Sequence, residues 1–214
     1  YIYGGTGNQV VNNIVLSNTA SITGGRGYGG GGGIMAFGPT SISGTLFSGN
    51  STADWGGGAY LAYFANTAPS VLTNVQFISN TANSGGGGGL FMWFDSTLKS
   101  VNFISNTASA GGGMFTREGY PTLSSVTFIS NTASYHGGGL YAGYAGSYTE
   151  TITGGQFLSN TASGGGGLYS DGSFTLDSPQ FLSNTSRSGN GGGAWTPLSA
   201  TVIPSGAPCA SHRR

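Results

Sequence analysis

The sequence predicts an all-β chain wound as a right-handed, single-stranded parallel β-helix of about seven coils. Three observations carry this expectation. An FxxN block recurs along the chain, a triple-glycine block follows each copy, and short strand-like segments punctuated by Gly, Asn, Ser and Thr fill the intervals.

The FxxN copies are Phe47–Asn50, Phe77–Asn80, Phe103–Asn106, Phe128–Asn131, Phe157–Asn160 and Phe181–Asn184, with Val15–Asn18 as a variant. Their asparagines are 32, 30, 26, 25, 29 and 24 residues apart. Each glycine block ends in an apolar residue and then a large one: Ile34-Met35, Ala59-Tyr60, Leu90-Phe91, Met114-Phe115, Leu140-Tyr141, Leu168-Tyr169 and Ala194-Trp195. A third element lies five and two residues before the Phe, as Leu72 and Val75, Leu98 and Val101, and Leu123 and Val126. It weakens to Ile42 and Thr45, Ile152 and Gly155, and Leu176 and Pro179. Two blocks in strict alternation exclude chance, and every segment is too short for a helix. Three short strands per repeat therefore make one coil, and coils stacked at ~4.8 Å form a rod about 34 Å long. Residues 1–200 are read as the repeat domain and 201–214 as a tail or end-strand.

The repeats imply ladders. Asn18, Asn50, Asn80, Asn106, Asn131, Asn160 and Asn184 stack at one bend, where each side-chain amide can donate to and accept from the next. The glycines mark a corner at which a Cβ would clash or φ must be positive. Each buried Phe contributes roughly 1.5–3 kcal/mol, but only if neighbouring coils enclose it.

Composition narrows the function. The 214 residues include 6 Lys+Arg and 6 Asp+Glu, for a net charge of zero, which removes the electrostatic footprint of a nucleic-acid binder. So little charge also favours self-association. Glycine, at 43 residues, is enriched about threefold, yet 37% hydrophobic and 12% aromatic content is too much for a disordered linker. Cys209 stands alone, so neither a disulfide framework nor a thiol metal site is expected. No apolar run approaches ~18 residues. Tyr1 opens directly into repeat-like sequence, the pattern of a mature form or an excised piece.

Alternating FxxN and GG-small-apolar blocks resemble the repeats of the polymorphic outer-membrane proteins, autotransporter passengers that display adhesive β-helices. The resemblance spans Val15 to Trp195. It implies a bacterial cell-surface or secreted location and an adhesive role. The chain departs from that pattern in favouring Gly where the family often has Ala, and in lacking a C-terminal membrane barrel.

Some β-helices are polysaccharide lyases or hydrolases, so a carbohydrate-active enzyme is the alternative reading. Such chemistry needs paired carboxylates ~5–10 Å apart. The acids are Asp54, Asp95, Glu118, Glu150, Asp171 and Asp177. Asp95, Glu118 and Asp171 fall in one loop region but occupy different places in different coils. Arg117 with Glu118 is the best charged pair, and reads as a solvated turn. His136 and His212 have no partner at triad or metal-ligand spacing. Gly25–Gly30 matches GxGxxG, but further glycines follow instead of the helix a dinucleotide needs. Neither enzymatic turnover nor a cofactor is expected.

Strand alternation turns the residue after each post-glycine apolar position outward. That column, Met35, Tyr60, Phe91, Phe115, Tyr141, Tyr169 and Trp195, is the candidate interaction surface. Leu16, Ser48, Ile78, Ile104, Ile129, Leu158 and Leu182 form a second outward column. Exposed apolar stripes mark contact surfaces. Asn50-Ser51-Thr52 and Asn184-Thr185-Ser186 fit the N-glycosylation pattern, and outward Ser and Thr hydroxyls are alternative acceptors. Thr-x-Ser rows at Thr19, Thr107, Thr132 and Thr161 suggest an ice-binding face, but coil lengths vary too much to keep it flat. The expectation is therefore a structural or adhesive surface solenoid. Its partners are expected to be copies of itself, meeting side by side or end to end in a filament, or cell-surface carbohydrate or protein.

Overall fold

The computed structural model describes residues 2–3, 7–21, 29–62, 68–119, 121–143, 149–196 and 200–203. The glycine-run residues Gly25–Tyr28, together with Tyr1, Cys209 and His212, lie outside them. The described residues contain only strands, turns and bends, and every strand pairs in parallel with its counterpart one coil away. This is a parallel β-solenoid. Its strands form two sheets of eight and two of seven, close to the seven coils expected.

The first sheet holds the strands that follow the glycines, from Ile2–Tyr3 and Ile34–Phe37 through Met114–Arg117 to Ala194–Trp195. The second runs from Asn8–Val11 through Ser96–Lys99 and Thr149–Thr153 to Ala200–Ile203. The third carries the Phe strands, from Ile14–Leu16 to Gln180–Leu182. The fourth, from Thr19–Ala20 to Thr185–Asn190, is the difference from the expected three strands per coil. It begins directly after the ladder asparagines. There Ala82, Ala108, Ala133 and Ala162 fit where the wall approaches the core closely, and all are buried. Alanine favours helix and is depleted in strands, so this short strand left a weak signature.

The core is a set of columns. Phe47, Phe77, Phe103, Phe128 and Phe157 are fully buried, and with Phe181 they stack at 4.9, 5.0, 4.9, 4.7 and 4.6 Å between ring centroids. Leu72, Leu98, Leu123 and Ile152 line the second sheet's inner side, and Leu90, Met114, Leu140 and Leu168 that of the first.

Each glycine of a triplet has its own reason. The first takes a left-handed conformation, as at Gly111 (φ 58°). The second lies on the next coil's backbone, so a Cβ on Gly112 would stand 2.5 Å from the Gly138 carbonyl oxygen. The third lies against the phenylalanine stack, where a Cβ on Gly113 would meet the Phe128 ring at 2.9 Å. Three glycines thus let the chain turn, stack and accommodate a ring.

Candidate functional site

The predicted ladder residues occupy the corner between the third and fourth sheets. Asn18, Asn50, Asn80, Asn106, Asn131 and Asn160 each donate from Nδ2 to Oδ1 of the asparagine one coil on, at 2.9–3.0 Å. Each also donates its backbone N–H to the same oxygen, at 2.9–3.0 Å. From Asn50 on, the second amide hydrogen reaches back to a main-chain carbonyl of the preceding coil, ending with Asn184 on Phe157. Asn50 through Asn160 are completely buried. Their amides are fully engaged, so this corner is structural. Attaching a glycan to Asn50 would remove at least one of the two bonds that its buried amide nitrogen donates.

The aromatic column does leave the first sheet on its outer side, but the expected exposure fails over its first half. Met35, Tyr60, Phe91 and Phe115 are buried, while Tyr141, Tyr169 and Trp195 are half-buried. Together with Phe37 and Ala62 the first four form a second apolar layer outside the solenoid wall, against which Trp55, Trp93, Ala110 and Tyr141 pack. The cover comes from the residue before the glycine triplet in two of the coils, Trp55 and His136, with Gly86 and Ala110 between them. Trp55 spans the coils below it, with its ring 5.0 Å from Phe91 and 5.3 Å from Phe115. His136 stacks on Tyr169 at 4.1 Å and overlies Gly164, where a Cβ would lie 3.0 Å from Nδ1. His136 is thus a lid on this layer.

The rings consume one another's faces. Tyr60 and Phe91 stack at 4.9 Å, Phe91 and Phe115 at 5.5 Å, and Tyr169 and Trp195 at 4.7 Å. Sugar rings bind aromatic faces, and these stacked pairs cover faces of five of the column's rings. The Ile/Leu column of the third sheet behaves differently. Ile78, Ile104, Ile129 and Leu158 are half-exposed, and Leu16 and Leu182 are 54% and 47% exposed. Between them, the strands of this sheet carry no charged residue.

The acids are dispersed in role. Arg117 Nε lies 3.6 Å from Glu118 Oε1 in solvent, the guanidinium sits 4.9 Å over the Trp93 ring, and Trp93 Nε1 donates to Glu118 Oε2 at 3.3 Å. This is an exposed turn cluster, as its spacing suggested. Tyr141 donates its hydroxyl to Asp171 Oδ2 at 2.6 Å, and burial followed by that bond raises the Tyr141 pKa. Burial also raises Asp54.

The structure places Glu150 in the interior, apart from the loop region expected to hold Asp95, Glu118 and Asp171. It is 1% exposed, two residues before the inward Ile152 in the same strand. Desolvation pushes its carboxyl up to about 8, opposed weakly by the Ser170 hydroxyl and reinforced by the charge on Asp171. A raised acid beside a second carboxylate is the pattern of glycoside hydrolysis. Here it fails on access, because no substrate reaches a side chain inside the wall. The alternation of the second sheet was the signal that could have found it. Among the described residues no three His, Cys, Asp or Glu side chains gather as for a metal, and no helix is long and apolar enough to cross a membrane.

With this geometry, residues 125–143 match the family described as the Chlamydia polymorphic membrane protein repeat. The matched stretch includes Phe128–Asn131 and Gly137-Gly138-Gly139-Leu140-Tyr141, so it covers the Phe stack, the Asn ladder, the glycine corner and the aromatic layer once each. The chain is a β-helix repeat protein that is similar to this repeat over those residues. The same blocks recur, and pair in register, from Val15–Phe47 to Tyr169–Trp195, so the other coils of the solenoid are built alike. No curated protein and no solved structure is similar enough to the chain to count as a match.

Proposed function

We propose that this Pmp-like solenoid is a structural and adhesive element of a bacterial surface, and that it makes contact through the outer face of its third sheet. The repeat family implies a surface or outer-membrane location. The observation that carries the reading is the half-exposed ladder of Ile78, Ile104, Ile129, Leu158 and Leu182 on an uncharged sheet face. Area decides the kind of contact. Strands of three residues make a face about 10 Å wide, and seven of them make it about 34 Å tall. That is roughly 340 Å², within the range of functional surface patches but below the ~800 Å² per partner of a stable complex. A weak, repeated contact with a cell-surface protein fits this area better than a stable dimer. Because the aromatic faces are occupied, a protein partner is also favoured over carbohydrate.

The test uses beads coated with the protein on a cultured epithelial monolayer, with sedimentation velocity alongside. Ile104→Lys combined with Ile129→Lys is expected to lower bead retention roughly tenfold or more, since an unpaired lysine at a desolvated contact costs upwards of ~1.4 kcal/mol. Thr122→Lys, on the exposed side of the second sheet, is the control and retains binding. Equal retention by all variants overturns the assignment of this face. A stable dimer of the wild type that the paired substitution dissolves would transfer the face to self-association.

A further inference from the structure

Four of the five buried side-chain atoms without a hydrogen-bond partner among the described residues lie at one place: Ser96 Oγ, Thr116 Oγ1 and both oxygens of Glu150. This is the corner between the first and second sheets, over three consecutive coils. Registration brings the groups together. Ala142 pairs with Thr116 on one side and Ser170 on the other, so a methyl group separates two hydroxyl positions. Across the corner in the same coil stands Glu150, whose strand neighbour in the following coil is Phe174. The small Ala142 leaves the room that the longer glutamate fills.

We propose that Glu150 is a protonated latch: a neutral carboxylic acid sealed into this corner, whose ionisation opens the wall between the first and second sheets around it. The physical argument is solvation. An ionised carboxylate in this position is cut off from bulk solvent, with the Ser170 hydroxyl as its one polar support and no cation beside it among the described residues, a state costing several kcal/mol. As a neutral acid it needs far less. Among the described residues the surrounding elements supply no counter-charge. Arg117 and Glu118 belong to the preceding coil's exposed turn, where they pair with each other. Tyr141 and Tyr169 leave the outer side of the first sheet, and Asp177 ends a strand at a half-buried outward position. Asp171 is the charge that reaches Glu150, and it is negative. Opening the corner is then the remaining way to hydrate the anion.

The sign follows from linkage. The folded acid titrates near 8 against an ordinary value of 4.5, so between those values the folded state holds a proton that the unfolded state has lost. The contribution is fully present below about 4.5 and is lost as pH rises through about 8. Within that window the folding constant falls by at most about tenfold per pH unit.

The test pairs infrared spectroscopy with urea unfolding from pH 5 to pH 9. Wild-type protein carrying isotopically labelled glutamate is expected to show one protonated carboxyl band at pH 7, lost near pH 8 and absent from Glu150→Gln. Glu150→Gln mimics the neutral acid, so its unfolding midpoint is expected to vary less with pH and to exceed the wild type's at pH 9. Hydrogen exchange should show faster exchange at pH 9 than at pH 7, beyond the intrinsic increase, at Thr116, Ala142 and Ser170. Absence of the protonated band at pH 7 overturns the proposal, as does an unchanged pH slope in Glu150→Gln.

Discussion

Two corners of this solenoid meet the same problem with different success. Wherever a wall turns, polar groups are brought inside and need partners from the coils above and below. At the corner of the third and fourth sheets, one residue type, asparagine, has both a donor and an acceptor to pass along, and the chain of bonds runs from Asn18 to Asn184. At the corner of the first and second sheets the column starts similarly. Asn8 donates to Thr40 Oγ1 at 3.3 Å, and the Thr40 N–H donates to Ser70 Oγ at 3.1 Å. It then lapses: among the described residues neither Ser96 Oγ nor the Glu150 oxygens have a hydrogen-bond partner within the usual distance, and two apolar residues, Phe174 and Ala200, take the next register positions in the column. A hydroxyl reaches only one neighbour well, and varying turn lengths after the first sheet shift it out of reach. The asparagine corner is preceded by an invariant three-residue strand, so its geometry repeats.

The strongest way to break this comparison is to remove one rung. Asn131→Ala takes the Oδ1 acceptor from both the Asn106 backbone N–H and Asn106 Nδ2, removes a side-chain donor to the Phe103 carbonyl, and ends the amide chain at Asn106. With each orphaned buried group costing ~1–3 kcal/mol, the expected loss is about 3–5 kcal/mol, read as a lower urea midpoint. A loss below about 1 kcal/mol would mean that the ladder is a consequence of the stacking and contributes little to it.

The repeat made the fold legible because FxxN and the glycine block are the two places where only one residue type serves. Asn is required by its two-way amide, and Gly111, Gly112 and Gly113 by three separate steric demands. What could not be read was what happens outside the wall. Alternation gives two sides of a strand and does not reveal a second layer, so Tyr60 and Phe91 looked exposed. Their cover depends on Trp55, whose ring lies across coils that its own position in the sequence does not indicate. Glu150 was hidden for a different reason. Its place two residues before Ile152 puts it inside, but acids are seldom buried unpaired, so composition argued against that position. The fourth strand was missed where Ala carried it.

A paired substitution sharpens the contrast within the lapsing column. Ser70 and Ser96 hold the same register position one coil apart, and both are buried. Ser70→Ala removes the acceptor of the Thr40 N–H and is expected to cost ~1–3 kcal/mol. Ser96→Ala removes an orphaned hydroxyl and is expected to be neutral or to stabilise by up to about 1 kcal/mol. The check is the difference in urea midpoint between two mutants of identical chemistry. Equal losses would show that the lapse is not real.

The smallest expected effect lies beside the asparagine corner and asks what its regularity costs. The residue before each ladder asparagine adopts a left-handed conformation, with φ of 52° at Ser17, 54° at Ser79, 55° at Ser105 and 54° at Ser130, Ser159 and Ser183. Glycine holds this place once, at Gly49 with φ 63°. A left-handed serine costs about 1 kcal/mol or more, whereas glycine adopts the conformation freely but gives the unfolded chain more freedom, worth ~0.5–1 kcal/mol. The two terms nearly cancel for Ser130→Gly, so its midpoint should move by no more than about 0.5 kcal/mol. Asparagine tolerates the same dihedrals without glycine's entropy. Ser130→Asn is therefore expected to stabilise by a few tenths of a kcal/mol, up to about 1 kcal/mol. The Ser130 side chain is exposed, so neither change disturbs the packing. If both variants lose more than about 1 kcal/mol, the serine hydroxyl serves the turn itself, and the corner depends on more than its amide ladder.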